Sequence, residues 1–274
     1  MTVEEIKLSD YYPFLGELGS NATVTIYVQD YFCEMYTPYP KNAMIICPGS
    51  GYKKCAKREA EPLAIKLLSM NFNAFVLTYS CDPVHYPVQL LEVAALYDLI
   101  NKNNDRWHIN TERIGIMGFS AGGHLAAHYS TSYDSLEISK YFELPYRPYA
   151  TVLGYPVISV DKSILKTSSI ENLLGYEPKD DETQKFSCEY LVSENTPPTF
   201  IWHTTEDGTV NVENSLRYAV ALSKNKIPYT LHIYPYGGHG LSTVDELTNN
   251  SLDTKVSYAS DWIEQFQKWV RITF

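Results

Sequence analysis

The stretch IGIMGFSAGGHLAAHY, residues 114–129, decides the fold. Ile114 to Phe119 is a short apolar run of the kind that makes a strand covered on both faces, and Gly123 to Tyr129 continues as a helix. Between them stands Gly118-Phe119-Ser120-Ala121-Gly122. A strand that turns into a helix this abruptly leaves its middle residue strained, and only small neighbours permit it; Gly118, Ala121, Gly122 and Gly123 qualify. The turn lifts the Ser120 hydroxyl over the end of the sheet, while the helix N-terminus favours negative charge beside it. Ser120 is thereby a candidate nucleophile. The alternative is a glycine-rich turn that merely packs a helix on a strand, and the strand-turn-helix context weighs against it.

Upstream, the apolar run AMIIC from Ala43 leads into Cys47-Pro48-Gly49-Ser50-Gly51-Tyr52. Glycines let a backbone approach closely enough to donate N–H groups to an oxyanion, and donors fixed in advance are worth about 3 kcal/mol each. Alone, this segment reads as an ordinary strand-to-loop turn; upstream of Ser120 the oxyanion reading gains. Downstream, TFIWHT from Thr199 runs into Thr205-Glu206-Asp207-Gly208, and YTLHIY from Tyr229 into Gly237-Gly238-His239-Gly240. Asp207 is either a solvated turn residue or an acid that reaches across the sheet's carboxyl edge. His239, flanked by glycines, is free to swing over a site, where a structural histidine sits within an apolar pattern. Ser120, Asp207 and His239 occur in the chain order of a nucleophile, its acid and its base on an α/β sheet.

NAFVLTY from Asn73 and ATVLGY from Ala150 complete six near-continuous apolar runs, all predicted as central strands. Thr23 to Gln29 alternates strictly, which predicts a half-exposed antiparallel strand near a sheet edge. Helical spacing follows Pro62 (Leu63, Leu67, Met70) and Pro87 (Val88, Leu91, Ala95, Leu99) and recurs at Val212, Leu216, Ala219 and Ser223. Val256, Ala259, Ile263, Phe266 and Val270 make one apolar stripe near the C-terminus. Strand and helix thus alternate, which predicts an α/β class with a mostly parallel sheet between helices, in a single domain over 1–274. Residues 156–197 break the alternation; a helical piece at Ile170 to Leu174 and an acidic cluster from Glu177 to Glu182 suggest a small lid there.

The 274 residues carry a net charge of −10 and only 20% charged residues, which offers no basic face for nucleic acid or an anionic membrane. MTVEEIKLSDYYPF has glutamates where a signal peptide carries lysines, and nowhere do about 18 apolar residues run together, so a cytoplasmic, non-membrane protein is expected. Cys33, Cys47, Cys55, Cys81 and Cys188 lack any CxxC pair and read as reduced, mostly buried residues. His124 and His128, four apart on one helix, lack a carboxylate at ligand spacing, so no metal is expected. Tyr52, Tyr79, Tyr155 and Tyr236 fall at strand ends, where a ring can stack on sugar or cap a pocket.

ICPGSGY, REAEPLA, PVQLLEVAAL, IGIMGFSAGGHLAA, FIWHTTEDGTVNVENSL and YPYGGHGL together resemble the acetyl-esterase branch of the α/β-hydrolases, from about residue 40 to the C-terminus. The resemblance implies a serine carboxylesterase for short acyl (acetyl) esters, with a small ester as substrate and carbohydrate esters among the candidates. Matched position by position, it makes Ser120 the nucleophile, Asp207 the acid and His239 the base. Ala121 with Ser50 or Gly51 becomes the oxyanion hole, and Gly49 with Tyr52 substrate-binding. Cofactors are none; a homo-oligomer is compatible. Ser50 departs from the glycine usual there, at a strain cost if the position requires φ > 0. A small peptidase, a lipase and a non-catalytic binding protein are the rival readings.

Overall fold

A computed structural model describes residues 1–30, 34, 40–165, 168–179, 182–250 and 253–274. Eight strands form one sheet in the order β1-β2-β4-β3-β5-β6-β7-β8, where β1 is Thr2–Lys7, β2 Thr23–Val28, β3 Lys41–Cys47, β4 Phe72–Thr78, β5 Ile109–Phe119, β6 Thr151–Gly154, β7 Thr199–Thr204 and β8 Tyr229–Tyr234. From β4 to β8 every pairing is parallel; β1 and β2 pair antiparallel. The architecture is the expected α/β one.

Each face of the sheet carries its own core, because successive side chains of a buried strand point to opposite sides. In β3, Ala43, Ile45 and Cys47 pack with Leu91, Ala95, Leu125 and Tyr129 of the helices Val88–Lys102 and Ser120–Ser132. Met44 and Ile46 face the other way, toward Leu63 and Leu67 of the helix Glu61–Ser69 and Trp262 and Phe266 of the helix Asp261–Thr273. Trp202 of β7 stacks on Trp262 at 4.9 Å between ring centres.

The antiparallel strand expected near the sheet edge is β2, second from that edge. The edge itself is β1, whose TVEEIK carries no apolar alternation and gains its strand through the ladder to β2. Two expectations need correction. β8 is the opposite edge and is only partly covered, so its apolar run does not mark a central strand. In the helix Glu213–Lys224, Leu216 is exposed, and Tyr218, Ala219 and Leu222 form the buried stripe. Cys33, Asp180 and Asp181 lie outside the described residues. Cys47 and Cys188 are buried, Cys55 and Cys81 partly so, and all four are free.

Candidate active site

β3, β5, β7 and β8 are parallel neighbours or near neighbours, so their carboxyl ends deliver four loops to one edge of the sheet. The first is the turn at Ser120. Its φ is +53°, a left-handed conformation for a residue with a side chain. The glycines around it are steric necessities. A Cβ on Gly118 would lie 2.1 Å from the Gly122 oxygen, and one on Gly122 would lie 2.1 Å from the Cys47 oxygen. With no bulk in the way, the helix starts at Ser120 itself, directly after the extended Phe119.

The Ser120 hydroxyl donates to Nε2 of His239 at 2.8 Å, and Nδ1–H of His239 donates to Oδ2 of Asp207 at 2.6 Å. Oδ1 of Asp207 accepts the main-chain N–H groups of Thr209 and Val210, both at 2.9 Å. Burial works to raise this carboxyl's pKa, but the hydrogen bonds from His203 and His239 outweigh it and hold the group well below the usual carboxylate range. An anion at Oδ2 fixes the proton on Nδ1 and leaves the Nε2 lone pair facing the serine.

His203, at the end of β7, is a partner that sequence reasoning missed. Its Nε2 faces Asp207 Oδ2 at 3.2 Å and the Val210 carbonyl at 3.1 Å, so that nitrogen carries the proton, and Nδ1 accepts the Ser215 hydroxyl at 2.8 Å. A histidine four residues before the acid, at a strand end, was the available signal. Glu206 points away from the histidine and accepts the Gly237 N–H at 3.0 Å. Asp245 is engaged with Thr243 and Lys66.

On the other side of Ser120, the main-chain N–H groups of Ser50 and Gly51 have no acceptor among the described residues, and Ala121 lies in the first turn of its helix, whose N–H groups lack intrahelical partners. Ser50 has φ +117° and Gly51 +69°, so the position does demand the conformation in which a serine is strained. Gly49 makes a different contribution from the one expected. Its N–H donates to Oε2 of Glu59 at 2.7 Å, and a Cβ there would lie 2.7 Å from that of Ser120, so it brings the loop close to the serine with its N–H already engaged.

Glu59 is the second residue that the sequence reading passed over. It is 1% exposed, and its other oxygen accepts the Tyr155 hydroxyl at 2.7 Å. That hydroxyl in turn accepts the Ser242 N–H at 2.9 Å, and the Tyr155 ring stands edge-on to His239 at 5.1 Å. One buried carboxylate therefore ties the Gly49 loop to the loop that carries the histidine. The stretch REAEPLA held the signal, as a glutamate just ahead of a helix.

The tyrosines require correction. Tyr52 is fully buried with φ +58°, and its hydroxyl meets Nδ1 of His124 at 2.9 Å, so it supports the loop from below. Tyr79 is buried and donates to the Pro48 carbonyl at 2.6 Å. Tyr155 is buried too, and Tyr236 is exposed with Lys255 over its ring. His124 and His128 are buried, which pushes their pKa values down to about 4 and about 3; Nε2 of His124 donates to the Phe186 carbonyl. Among the described residues there is no group of three His, Cys, Asp or Glu fit for a metal.

Ser120 and His239 open into a cavity of about 270 Å³ whose wall includes Ser50, Gly51, Glu59, Ser168, Asn172 and Thr209. Asn172, on the helix Ser169–Leu174 within the 156–197 segment, donates to the Gly51 carbonyl at 2.7 Å. The profile of the BD-FAE family matches residues 30–222. The chain belongs to that family. It is 36% identical over 213 residues to endo-1,4-beta-xylanase B of Butyrivibrio fibrisolvens, a match covering 75% of this chain and 33% of that protein. To acetylxylan esterase of Xylanibacter ruminicola it is 32% identical over 203 residues, covering 72% and 40%. The chain thus spans between a third and two fifths of the length of these curated relatives. The solved acetyl ester-xyloside bifunctional hydrolase of Caldicellulosiruptor lactoaceticus superposes with a TM-score of 0.79 at 34% identity, over 92% of this chain and 88% of that one. The fold of this BD-FAE chain is that of the α/β-hydrolases. No helix among the described residues is long and apolar enough to cross a membrane.

Proposed function

We propose that this chain is a serine carboxylesterase that removes a short acyl group, acetyl above all, from a polar alcohol of carbohydrate type. The observation that carries the reading is the unbroken chain Ser120 Oγ–His239–Asp207, with contacts of 2.8 and 2.6 Å, at the mouth of a small polar cavity. His239 Nε2 takes the serine proton as Oγ attacks the ester carbonyl; Asp207 holds the ring and stabilises the imidazolium. The main-chain N–H groups of Ala121 and of Ser50 or Gly51 receive the developing oxyanion. The protonated histidine then releases the alcohol, and water removes the acyl group by the same steps. The chemistry calls for neither metal nor organic cofactor.

The names of the relatives, an acetylxylan esterase and an acetyl ester-xyloside hydrolase, favour acetylated sugars. The cavity supports this, because about 270 Å³ lies at the small end of ligand pockets and its wall is mostly hydroxyl, amide and charged groups. The described part of segment 156–197 serves as a cap and contributes Ser168, Ser169 and Asn172 to that wall. The reading is tested by a chain-length series. Acetyl and propionyl esters are expected to give higher kcat/KM than octanoyl esters, since surplus methylenes in a filled pocket cost about 1–3 kcal/mol in total. Rates that climb through octanoate would make the chain a lipase, and preferential cleavage of amino-acid amides a peptidase.

A further inference from the structure

The loop after the candidate oxyanion donors reads KKCAKR, so Lys53, Lys54, Lys57 and Arg58 place four of the chain's 22 basic residues in six positions, although the net charge is −10. All four side chains are exposed. None of them forms an ion pair among the described residues. A chain with ten surplus acids thus carries a basic cluster without ion pairs at one place. That place is the candidate active site, since Lys53 and Arg58 line the same cavity as Ser120 and His239.

Arg58 is held there by its surroundings. Its Nη2 lies 2.3 Å from the point that a Cβ on Gly240 would occupy, so the guanidinium rests on the backbone of the residue after His239. Its carbonyl oxygen accepts the Ser242 hydroxyl at 2.5 Å. The carboxylate in the cavity wall, Glu59, has one oxygen on the Gly49 N–H and the other on the Tyr155 hydroxyl and forms no ion pair with either cation; its one formal negative charge against the two of Lys53 and Arg58 leaves the lining with a positive surplus. Ser168, Asn172 and Thr209, the neighbours across the cavity, are uncharged. Two like charges facing one small space are favoured when an anion enters it, and a guanidinium fork fits a carboxylate through two parallel hydrogen bonds.

We infer that Lys53 and Arg58 form an anion subsite beside Ser120, and that the preferred esters carry a carboxylate, either on the alcohol as in a uronic acid or on the acyl part as in a dicarboxylic hemiester. This rests on the ester-hydrolase reading above and narrows its substrate class. The cluster also raises the local concentration of anionic substrate, an effect that salt weakens.

The experiment measures kcat/KM of the full chain on two matched pairs: acetylated methyl glucuronoside against acetylated methyl glucoside, and the hemisuccinate against the propionate of methyl glucoside. The charged member of one pair is expected to win by about tenfold at low ionic strength, and the pair that shows it tells which side of the ester carries the carboxylate. Raising salt from about 20 mM to about 500 mM is expected to shrink the ratio severalfold, as screening shortens from well over 10 Å to a few ångströms. Arg58→Glu and Lys53→Glu are expected to invert the ratio, and Arg58→Lys to retain part of it. Equal rates within both pairs overturn the inference, as does a preference that ignores salt or survives both reversals. If no member of either pair is cleaved, the hydrolase reading has failed and this inference with it; if the esters are cleaved without charge preference, the subsite alone has failed.

Discussion

The two halves of the site face each other across Ser120, and they are built by different forces. The half made by the ends of β5, β7 and β8 is dictated locally. Gly118 and Gly122 leave no room for a Cβ, Asp207 is fixed by N–H groups two and three residues on, and His239 sits in a run of glycines. The half made by the loop from Pro48 to Glu59 is tied from a distance. Tyr79 holds the Pro48 carbonyl, Asn172 the Gly51 carbonyl, and Glu59 joins Gly49 to Tyr155 and through it to Ser242. The contrast teaches that Ser120, Asp207 and His239 are set by short-range sterics and local hydrogen bonds, whereas the side proposed to receive the oxyanion is an assembly of side chains, each of which contributes a fraction. Damage to the first half should be near-total, and damage to the second graded.

The sharpest separation comes from the acid. Asp207→Asn keeps the shape but favours the wrong imidazole tautomer, an effect of about 10⁴ in turnover where it has been isolated. A loss of at least about 10² in kcat is expected here, with Glu206→Gln and Asp245→Asn each within about fivefold of wild type by steady-state kinetics. Should Glu206→Gln be the crippled variant, the acid has been misassigned and the local half is not built as argued.

Glu92 probes the support beneath the loop half, where it accepts the Ser80 N–H at 2.9 Å next to Tyr79. Burial pushes its pKa up to about 7, against hydrogen bonds from Ser20 and Ser80 that lower it. A carboxyl whose folded-state pKa is raised holds its proton more tightly when folded, so stability is lost as pH rises from the ordinary carboxyl range to about 7. The loss amounts to about 3 kcal/mol above that pH. Denaturant unfolding at pH 5 and pH 8 is expected to show this loss in wild type and a much smaller one in Glu92→Gln. Equal pH slopes would mean that Glu92 is not the titrating group.

Glu59→Gln tests the tie itself. An amide still accepts from Gly49 but no longer accepts the Tyr155 hydroxyl as an anion does, so about a tenfold fall in kcat is expected with KM changed less than twofold. A role in packing alone would lower the melting temperature and leave kcat intact. The smallest effect belongs to Ser50, which sits at φ +117°, where glycine is at ease. Ser50→Gly is expected to stabilise the fold by about 1 kcal/mol while activity stays within severalfold, as measured by thermal unfolding alongside ester turnover.

The same contrast explains what could be read in the sequence. The turn at Ser120, the six apolar runs and the glycines around His239 are local patterns, written within a few positions of one another, and all six runs form strands, although that of β8 lies at the edge and not in the centre. The edge strand β1 was hidden because its side chains are largely polar and its structure comes from pairing with residues more than 15 positions away. Glu59 and Tyr155 are 96 positions apart, and Tyr52 meets His124 across 72, distances that leave no periodic trace. A tyrosine at a strand end looks the same in sequence whether its hydroxyl faces a cavity or a buried carboxylate.

The most direct test of the central claim is Ser120→Ala, assayed for hydrolysis of a neutral acetyl ester alongside labelling by a fluorophosphonate and thermal unfolding. The hydroxyl is placed for attack and not for packing, so turnover should fall by about 10⁴-fold or more and labelling should vanish, while the melting temperature moves by no more than about 2 °C. A variant that keeps a tenth of wild-type activity, or still takes up the label, would show that Ser120 is not the nucleophile.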